Sequence, residues 1–294
     1  MKAIGSPAAA QLPLSGLLIS FNEIANIDRT LVALSWIPDV VVIDSGSTDG
    51  TLDVLAAHTN VRVIQRRFDS FAEQCNFGLD QIHSDWVLSL DADYGVPAAL
   101  AAAMPGLITR ADREGLAGYA LPFRYCIDGQ PLRGSLLPPR TCLYRTRRGR
   151  YRNEGHGHRV VLDGPVAPLT MAILHDDRKP LARWLASQQR YLTIEAANLL
   201  DTPPTKLSPV DRLRRHTPLA PLAALLVCLL GRGGLLDGAA GLTYALQRTY
   251  AELLLLLLLR EEKGRRRAML SAKGAGRGSG PDRRESGPSQ TRLR

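Results

Sequence analysis

The first hundred positions repeat one pattern: a short apolar run that ends in polar residues, then apolar positions at helical spacing. Leu14 to Ser20 (LSGLLIS) stops at Phe21, Asn22 and Glu23, after which Ile24, Ile27, Leu31 and Leu34 recur as on one face of a helix. Asp39 to Ile43 (DVVVI) is a β-branched run ending in Asp44-Ser45-Gly46-Ser47-Thr48-Asp49-Gly50-Thr51, small polar residues that suit a tight loop and a helix N-terminus open to a ligand. Val61 to Gln65 makes a third strand, and Ser70 with Glu73 has the spacing of a capping box that opens a helix running to about His83. Trp86 to Leu90 is the fourth strand. Strands alternating with helices over short connections predict a mainly parallel sheet with right-handed crossovers, and gather loops 20–23, 44–51 and 91–95 on one edge.

That edge is where open α/β sheets place ligands. The fourth apolar run ends abruptly in Asp91-Ala92-Asp93, whose two carboxylates project to the same side of an extended chain. Oxygen-only donors at that spacing suit a hard divalent cation, or a cation and a ribose. Taken alone, the same three residues are equally an ordinary turn after a strand.

Four segments in order, SFNE (20–23), VVIDSGSTDGT (41–51), FAEQCNFGL (71–79) and WVLSLDADYG (86–95), resemble a family 2 glycosyltransferase. Further on, YRTRRGRYRNEGHGHRV (144–160) and HDDRKPLARW (175–184) are similar to bacterial members acting on lipopolysaccharide core or related envelope glycans, including the inner-core β-1,4-glucosyltransferase group. The resemblance implies the GT-A nucleotide-diphospho-sugar transferase fold, α/β with a Rossmann-like mainly parallel sheet. It implies a donor site made by Phe21, Asn22, Glu23, Asp44, Ser45, Asp49, Gln74, Asn76, Asp91, Ala92 and Asp93, with Glu23 and Asp44 holding the nucleoside. Mg²⁺ or Mn²⁺ is expected on Asp93, with Asp91 assisting or contacting the ribose. Any one of Asn22, Asp49, Gln74 and Asn76 also reads as a loop or cap hydrogen bonder. Tyr94 departs from many relatives, which carry a carboxylate directly after the second Asp.

The second half carries different signals. Val96 to Arg110 is an Ala-rich helical patch interrupted by Pro105; Gly118 to Tyr125 and Gln130 to Gly134 flank Ile127-Asp128-Gly129 as a hairpin; Arg140 to Arg145 is a further strand. Eight arginines between Arg133 and Arg159 either line a cleft for an anionic acceptor or are solvated loop residues. His156 and His158 lack a third ligand at zinc spacing. Leu181 to Leu200 is a long amphipathic helix that stops before Pro203-Pro204. Thr217 to Leu230 and the seven leucines of Leu253 to Leu259 are apolar but each shorter than a membrane span, so they predict helices lying in the interface of an anionic leaflet, or else a buried pair or dimer contact. The expected division is 1–110 for the nucleotide-sugar half, 111–200 for the acceptor half, 201–270 for a helical membrane-associating extension, and 271–294 for a disordered basic tail.

Charge sharpens this division. The chain of 294 residues has a net charge of +9, but from Arg260 onward eleven Lys and Arg face four Asp and Glu, so the body carries only +2. The basicity belongs to the tail, and no nucleic-acid motif accompanies it. Four cysteines without a CxxC pair predict reduced, buried thiols. The first twenty residues do not make a signal peptide. These features lead to the expectation of a cytoplasmic protein peripheral to the inner face of the plasma membrane.

The resulting expectation is an inverting transfer of a sugar from a nucleotide diphosphate, UDP by resemblance, to a hydroxyl of an anionic glycan or glycolipid. Such a reaction needs a base on the face opposite the departing diphosphate. Glu154, in a Gly-flanked loop, ranks first and Asp176 second. Two other classes compete. A DxD-type phosphatase needs a nucleophilic Asp near the first strand and usually carries Thr or Val where Gly95 stands, and a non-catalytic membrane or polyanion-binding module leaves Asp44, Asp91 and Asp93 without a purpose.

Overall fold

The computed structural model describes residues 12–154 and 157–275. Its main sheet has seven strands in the order β12 (Val166–Pro168), β6 (Gly118–Leu121), β9 (Arg140–Arg145), β4 (Trp86–Asp91), β1 (Leu14–Ser20), β2 (Val40–Asp44) and β3 (Val61–Gln65). The four apolar runs are β1, β2, β3 and β4, all parallel, with Ser20 beside Asp44 and Ile19 beside Asp91. β9 runs against β4, and β6 against β9, with β12 parallel on the outer edge.

Strand alternation sends consecutive apolar residues to opposite faces, and both are covered. Leu14, Leu18, Val40, Val42, Leu88 and Leu90 pack under α1 (Ile27–Ala33), α2 (Thr51–Ala57) and α4 (Ala98–Glu114). Leu17, Val41, Ile43 and Val87 pack on the other side against α3 (Phe71–Asp80) and the hairpin of β10 (Gly149–Glu154) and β11 (Gly157–Leu162). α3 lies close to the sheet because Gly78 has no side chain: a Cβ there would be 2.4 Å from Leu17 Cδ1 and 3.0 Å from Ile43 Cγ1. Half of the capping box expected at its start forms, with Glu73 N–H donating to Ser70 Oγ at 3.3 Å while Ser70 N–H donates to Asp69 Oδ1 at 2.6 Å, and the helix ends at Asp80 rather than near His83.

Three expectations are corrected by packing. α4 runs unbroken through Pro105, because Leu100, Met104, Leu107, Ile108 and Ala111 bury one continuous face and that burial outweighs a single lost hydrogen bond. The strand expected over 118–125 is two strands. Pro122, which cannot donate to a ladder, separates β6 in the main sheet from β7 (Phe123–Ile127) in a second sheet. That sheet has the order β5-β13-β7-β8, made by β5 (Tyr94–Gly95), β13 (Ile173–His175) and β8 (Gln130–Pro131). Asp128 (φ 51°) and Gly129 (φ 82°) turn β7 into β8, the paired positive angles of a two-residue hairpin loop.

The third correction concerns the C-terminal region. α5 (Leu181–Asp201), α6 (Pro209–His216) and α7 (Ala220–Leu226, continuing as a wider turn to Gly231) pack on one helix of 38 residues, α8 (Gly238–Ala275). The seven leucines lie in the middle of α8 instead of forming a separate short helix, and the helix passes the expected boundary at 270. Its basic end stays helical through Glu262, which pairs with Arg265 at 2.6 Å and Arg266 at 2.7 Å. The remainder of the expected tail, 276–294, lies outside the described residues. By length and composition α8 is apolar enough to cross a membrane, yet Leu255 and Leu259 are buried against Ala196, Leu199 and Leu207. Leu136 N–H donates to Tyr244 Oη at 2.9 Å and Arg133 N–H to the Asp237 carboxylate at 2.9 Å, which fasten these helices to the β7–β8 region.

Candidate active site

The loops after β1 and β2 are built by mutual hydrogen bonding. Asp44 is fully buried and accepts four bonds, from Ser20 Oγ (2.7 Å), Ser47 Oγ (2.6 Å), Ser47 N (2.8 Å) and Gly46 N (2.9 Å). Asn22, at φ 55°, donates its N–H to Ser47 Oγ and accepts from Thr48 N, while Asp49 accepts from Ile24 N at 3.2 Å. Ser45 Oγ accepts from the buried Gln74 amide at 2.9 Å, and Gln74 also accepts from Arg66. These residues form one rigid edge, and most of their side-chain capacity holds the loops together. Phe21 is half-exposed on its rim. Asn76 lies apart from this edge: it exchanges two bonds with the Tyr151 backbone and fixes α3 to β10.

At the end of β4, Ala92 is buried and its carbonyl accepts from Thr30 Oγ1 at 2.7 Å. Asp91 is partly exposed and lies 3.8 Å from Arg140. Asp93 points inward to His175 Nε2 at 3.1 Å, and the other carboxylate oxygen, Oδ1, is buried with no partner. Burial opposes the Asp93 charge, but the His175 imidazolium and its hydrogen bond outweigh it and hold the carboxyl below its usual range. For His175, burial works downward while the Asp93 charge prevails and raises it. Tyr94 and Tyr125 meet the imidazole edge-on at 5.1 and 5.0 Å and fix its orientation. Tyr94 Oη also accepts from Arg140, and burial raises its phenol.

The HDDRKP segment closes this site from the other side. Lys179 Nζ lies 2.7 Å from Glu23 Oε1 and 3.6 Å from Asp177, while Asn26 bridges Glu23 and Asp177 with bonds of 3.0 and 2.9 Å. Burial raises the Glu23 carboxyl despite its lysine partner. His175 and Lys179 were not singled out from sequence. The signal for them was the segment HDDRKPLARW (175–184), which carries part of the family resemblance without assigning either residue a role.

The two candidate bases occupy opposite environments. Asp176 is buried with its carboxylate on Arg178 (2.9 Å), Arg29 (3.3 Å) and Gly129 N (3.2 Å). Glu154 ends β10 with an exposed carboxylate whose contact is Arg159 at 3.5 Å. It lines an open groove of about 630 Å³ with Thr141, Arg152, Asn153 and Arg159. Thr141 follows Arg140 in β9, and His158, in the same hairpin as Glu154, feels the charge of Asp91. His158 stacks on Phe71 at 5.5 Å and burial lowers its pKa, while His156 lies outside the described residues. All four cysteines are buried free thiols.

Residues 15–167, half of the chain and all of the main-sheet strands but the ends of β1 and β12, match Glycosyl transferase family 2. The chain belongs to that family. As a family 2 member it is a glycosyltransferase with the α/β GT-A architecture described above. It is 27% identical to the lipopolysaccharide core biosynthesis glycosyltransferase LpsC of Rhizobium meliloti over 197 residues, which are 63% of this chain and 71% of LpsC. An uncharacterized glycosyltransferase of Rickettsia bellii is 33% identical over 81 residues, 27% of either chain. Among solved structures, the mannosyltransferase PcManGT of Pyrobaculum calidifontis, in complex with GDP-Man and Mn²⁺, aligns over 85% of this chain and 86% of its own with a TM-score of 0.47 and 16% identity.

The family 2 reading implies a divalent cation. Among the described residues no group of three or more His, Cys, Asp or Glu side chains is drawn together as a metal cage. The unpartnered Asp93 Oδ1 and the partly exposed Asp91 nonetheless offer oxygen donors of the kind Mg²⁺ and Mn²⁺ take, so the residues fit the group.

Proposed function

We propose that this glycosyltransferase transfers a sugar with inversion from a UDP-sugar to a hydroxyl of a lipopolysaccharide-core or related anionic envelope glycan. The observation that carries this reading is the end of β4, where Asp91 is partly exposed and Asp93 keeps a buried oxygen unpartnered. The exposed carboxylate of Glu154, on the hairpin whose His158 feels the charge of Asp91, supports the assignment of the base.

The nucleoside diphosphate lies over the edge made by Phe21 to Glu23 and Asp44 to Asp49, with Asp44 shaping the loop from beneath. Asp91 and Asp93 would hold Mg²⁺ or Mn²⁺, which when bound neutralises charge on the diphosphate. Lys179, held among Glu23, Asp177 and the charge of Asp93, adds a fixed cation to the same site. Glu154 accepts the proton of the acceptor hydroxyl as its oxygen bonds to the sugar C1 and the C1–O bond to the diphosphate breaks. Asp176, saturated by two guanidinium groups, positions the β7–β8 turn and does not serve as base. Arg152 and Arg159, cross-strand neighbours on β10 and β11, favour a phosphate or carboxylate on the acceptor. The exposed leucines of α7 and α8 rest in the inner leaflet of the plasma membrane, bringing the groove to a lipid-borne acceptor.

Glu154→Gln is expected to lower turnover by about 10²–10⁴ while UDP still raises the melting temperature in the presence of Mn²⁺. Near-normal turnover in that variant, with collapse in Asp176→Asn, would move the base to Asp176. A wild-type protein that no nucleotide protects would remove the donor assignment.

A further inference from the structure

Sharing no lining residue with the groove, α6 and α8 enclose a small recess of about 110 Å³ whose lining includes Arg215, His216, Leu256, Arg260 and Lys263. Arg214 also reaches it, but Glu252 neutralises that residue through a close ion pair at 2.5 Å. Arg215 is fixed by donating Nη1 to Leu199 O (3.0 Å) and Thr202 O (2.8 Å), and Lys263 Nζ donates to Arg215 O at 2.6 Å. Among the described residues no carboxylate lies within ion-pair distance of Arg215, Arg260 or Lys263. Burial and the nearby charges of Arg215, Arg267 and Arg260 push the Lys263 ammonium below its ordinary range. Like charges drawn together around a space, without a counterion, leave their repulsion to be relieved by an anion.

The place of the recess identifies that anion. Leu242, Leu246, Tyr250, Leu253 and Leu257 are all exposed, and their spacing of four, four, three and four residues sets them on one stripe of α8. Leu219, Leu222, Leu226 and Leu230 continue the apolar surface on α7. Arg260 follows Leu257 by three residues, so the stripe runs directly into the cationic recess. An apolar band ending in a row of cations has the profile of a leaflet, acyl chains below and phosphate above.

We propose that the α6–α8 recess binds the phosphate of an anionic lipid headgroup, with Arg260 and Lys263 as its principal donors. The site rests on the membrane reading given above and adds to it a defined headgroup contact. It fixes the rotation of α8 on the bilayer, because the lipid phosphate must sit at the end of the stripe.

Flotation of the full chain with vesicles of phosphatidylcholine, alone or mixed with phosphatidylglycerol, tests the site. The wild type is expected to favour the mixed vesicles. Arg260→Gln/Lys263→Gln should bind them about thirtyfold more weakly, the change given by ~1 kcal/mol for each of two cations. Arg212→Gln/Arg232→Gln removes the same charge from exposed positions of the same region outside the recess and should change little. Circular dichroism melts confirm that each variant is folded. Wild-type flotation with the mixed vesicles that Arg260→Gln/Lys263→Gln retains in full, or that both double variants lose equally, overturns the recess while leaving the membrane reading intact. A wild type that floats with neither vesicle, for instance because a dimer covers the stripe, removes both.

Discussion

Asp44→Ala separates two roles for a residue at the centre of the donor edge. Its carboxylate accepts four bonds at 2.6 to 2.9 Å and is fully buried, so the geometry makes it the keystone of the 44–51 loop. On truncation, the hydroxyls of Ser20 and Ser47 can rotate towards each other or towards water. The backbone N–H of the buried Ser47 cannot, and an unsatisfied buried donor costs about 1–3 kcal/mol, whereas that of the exposed Gly46 can turn to water. With part of the hydroxyl contribution added, the loss is roughly 2–4 kcal/mol, or about 5–10 °C in melting temperature for a chain of this size. Asp44→Asn should be milder, roughly 1–2 kcal/mol, because Oδ1 still accepts from both backbone N–H groups and the hydroxyls can turn to accept from the amide. Urea unfolding followed by circular dichroism gives both values, and a UDP titration well below the melting point gives the affinities. If Asp44→Ala unfolds within about 1 kcal/mol of wild type but no longer binds UDP, the keystone argument fails and Asp44 contacts the nucleoside itself.

Three further outcomes follow from the same geometry. Asp93→Asn removes the charge while keeping the side-chain shape, so calorimetric titration should show UDP binding that Mn²⁺ no longer strengthens; an undiminished Mn²⁺ effect would exclude Asp93 as a ligand. Gly78→Ala forces a methyl group into Leu17 and should cost about 1–3 kcal/mol in urea unfolding, unless α3 can lift from the sheet at no cost. Asn76→Ala cuts both bonds between α3 and the Tyr151 backbone, so steady-state kinetics should show a lower kcat with an unchanged KM for the donor, because the hairpin carrying Glu154 is released while the donor edge is untouched. A raised donor KM with normal kcat would instead return Asn76 to the donor site.

The sequence by itself determined the four parallel strands, the helices between them, and the edge on which their loops meet. Each of those strands is a local apolar run whose period and end are written in consecutive residues, and the rule that loops of a parallel sheet share an edge then brings Asn22, Asp44 and Asp91 to one side. Asp91 and Asp93 read as a site only beside the other three segments, since alone the pair is equally an ordinary turn after a strand. Tertiary structure decided what depends on contacts distant in the chain. His175 meets Asp93 across 82 residues and Lys179 meets Glu23 across the closing loop, distances that no periodicity encodes. The same is true of Asp176, whose saturation by Arg29 and Arg178 distinguishes it from the exposed Glu154 only once the loops are packed. In the C-terminal half the sequence showed leucines and arginines but not their partners. Whether a leucine on α8 turns to α5 or to the outside, and whether an arginine finds Glu252 or stands beside Lys263, is fixed by how the helices dock, because hydrophobic burial has no direction of its own until a neighbouring surface supplies one.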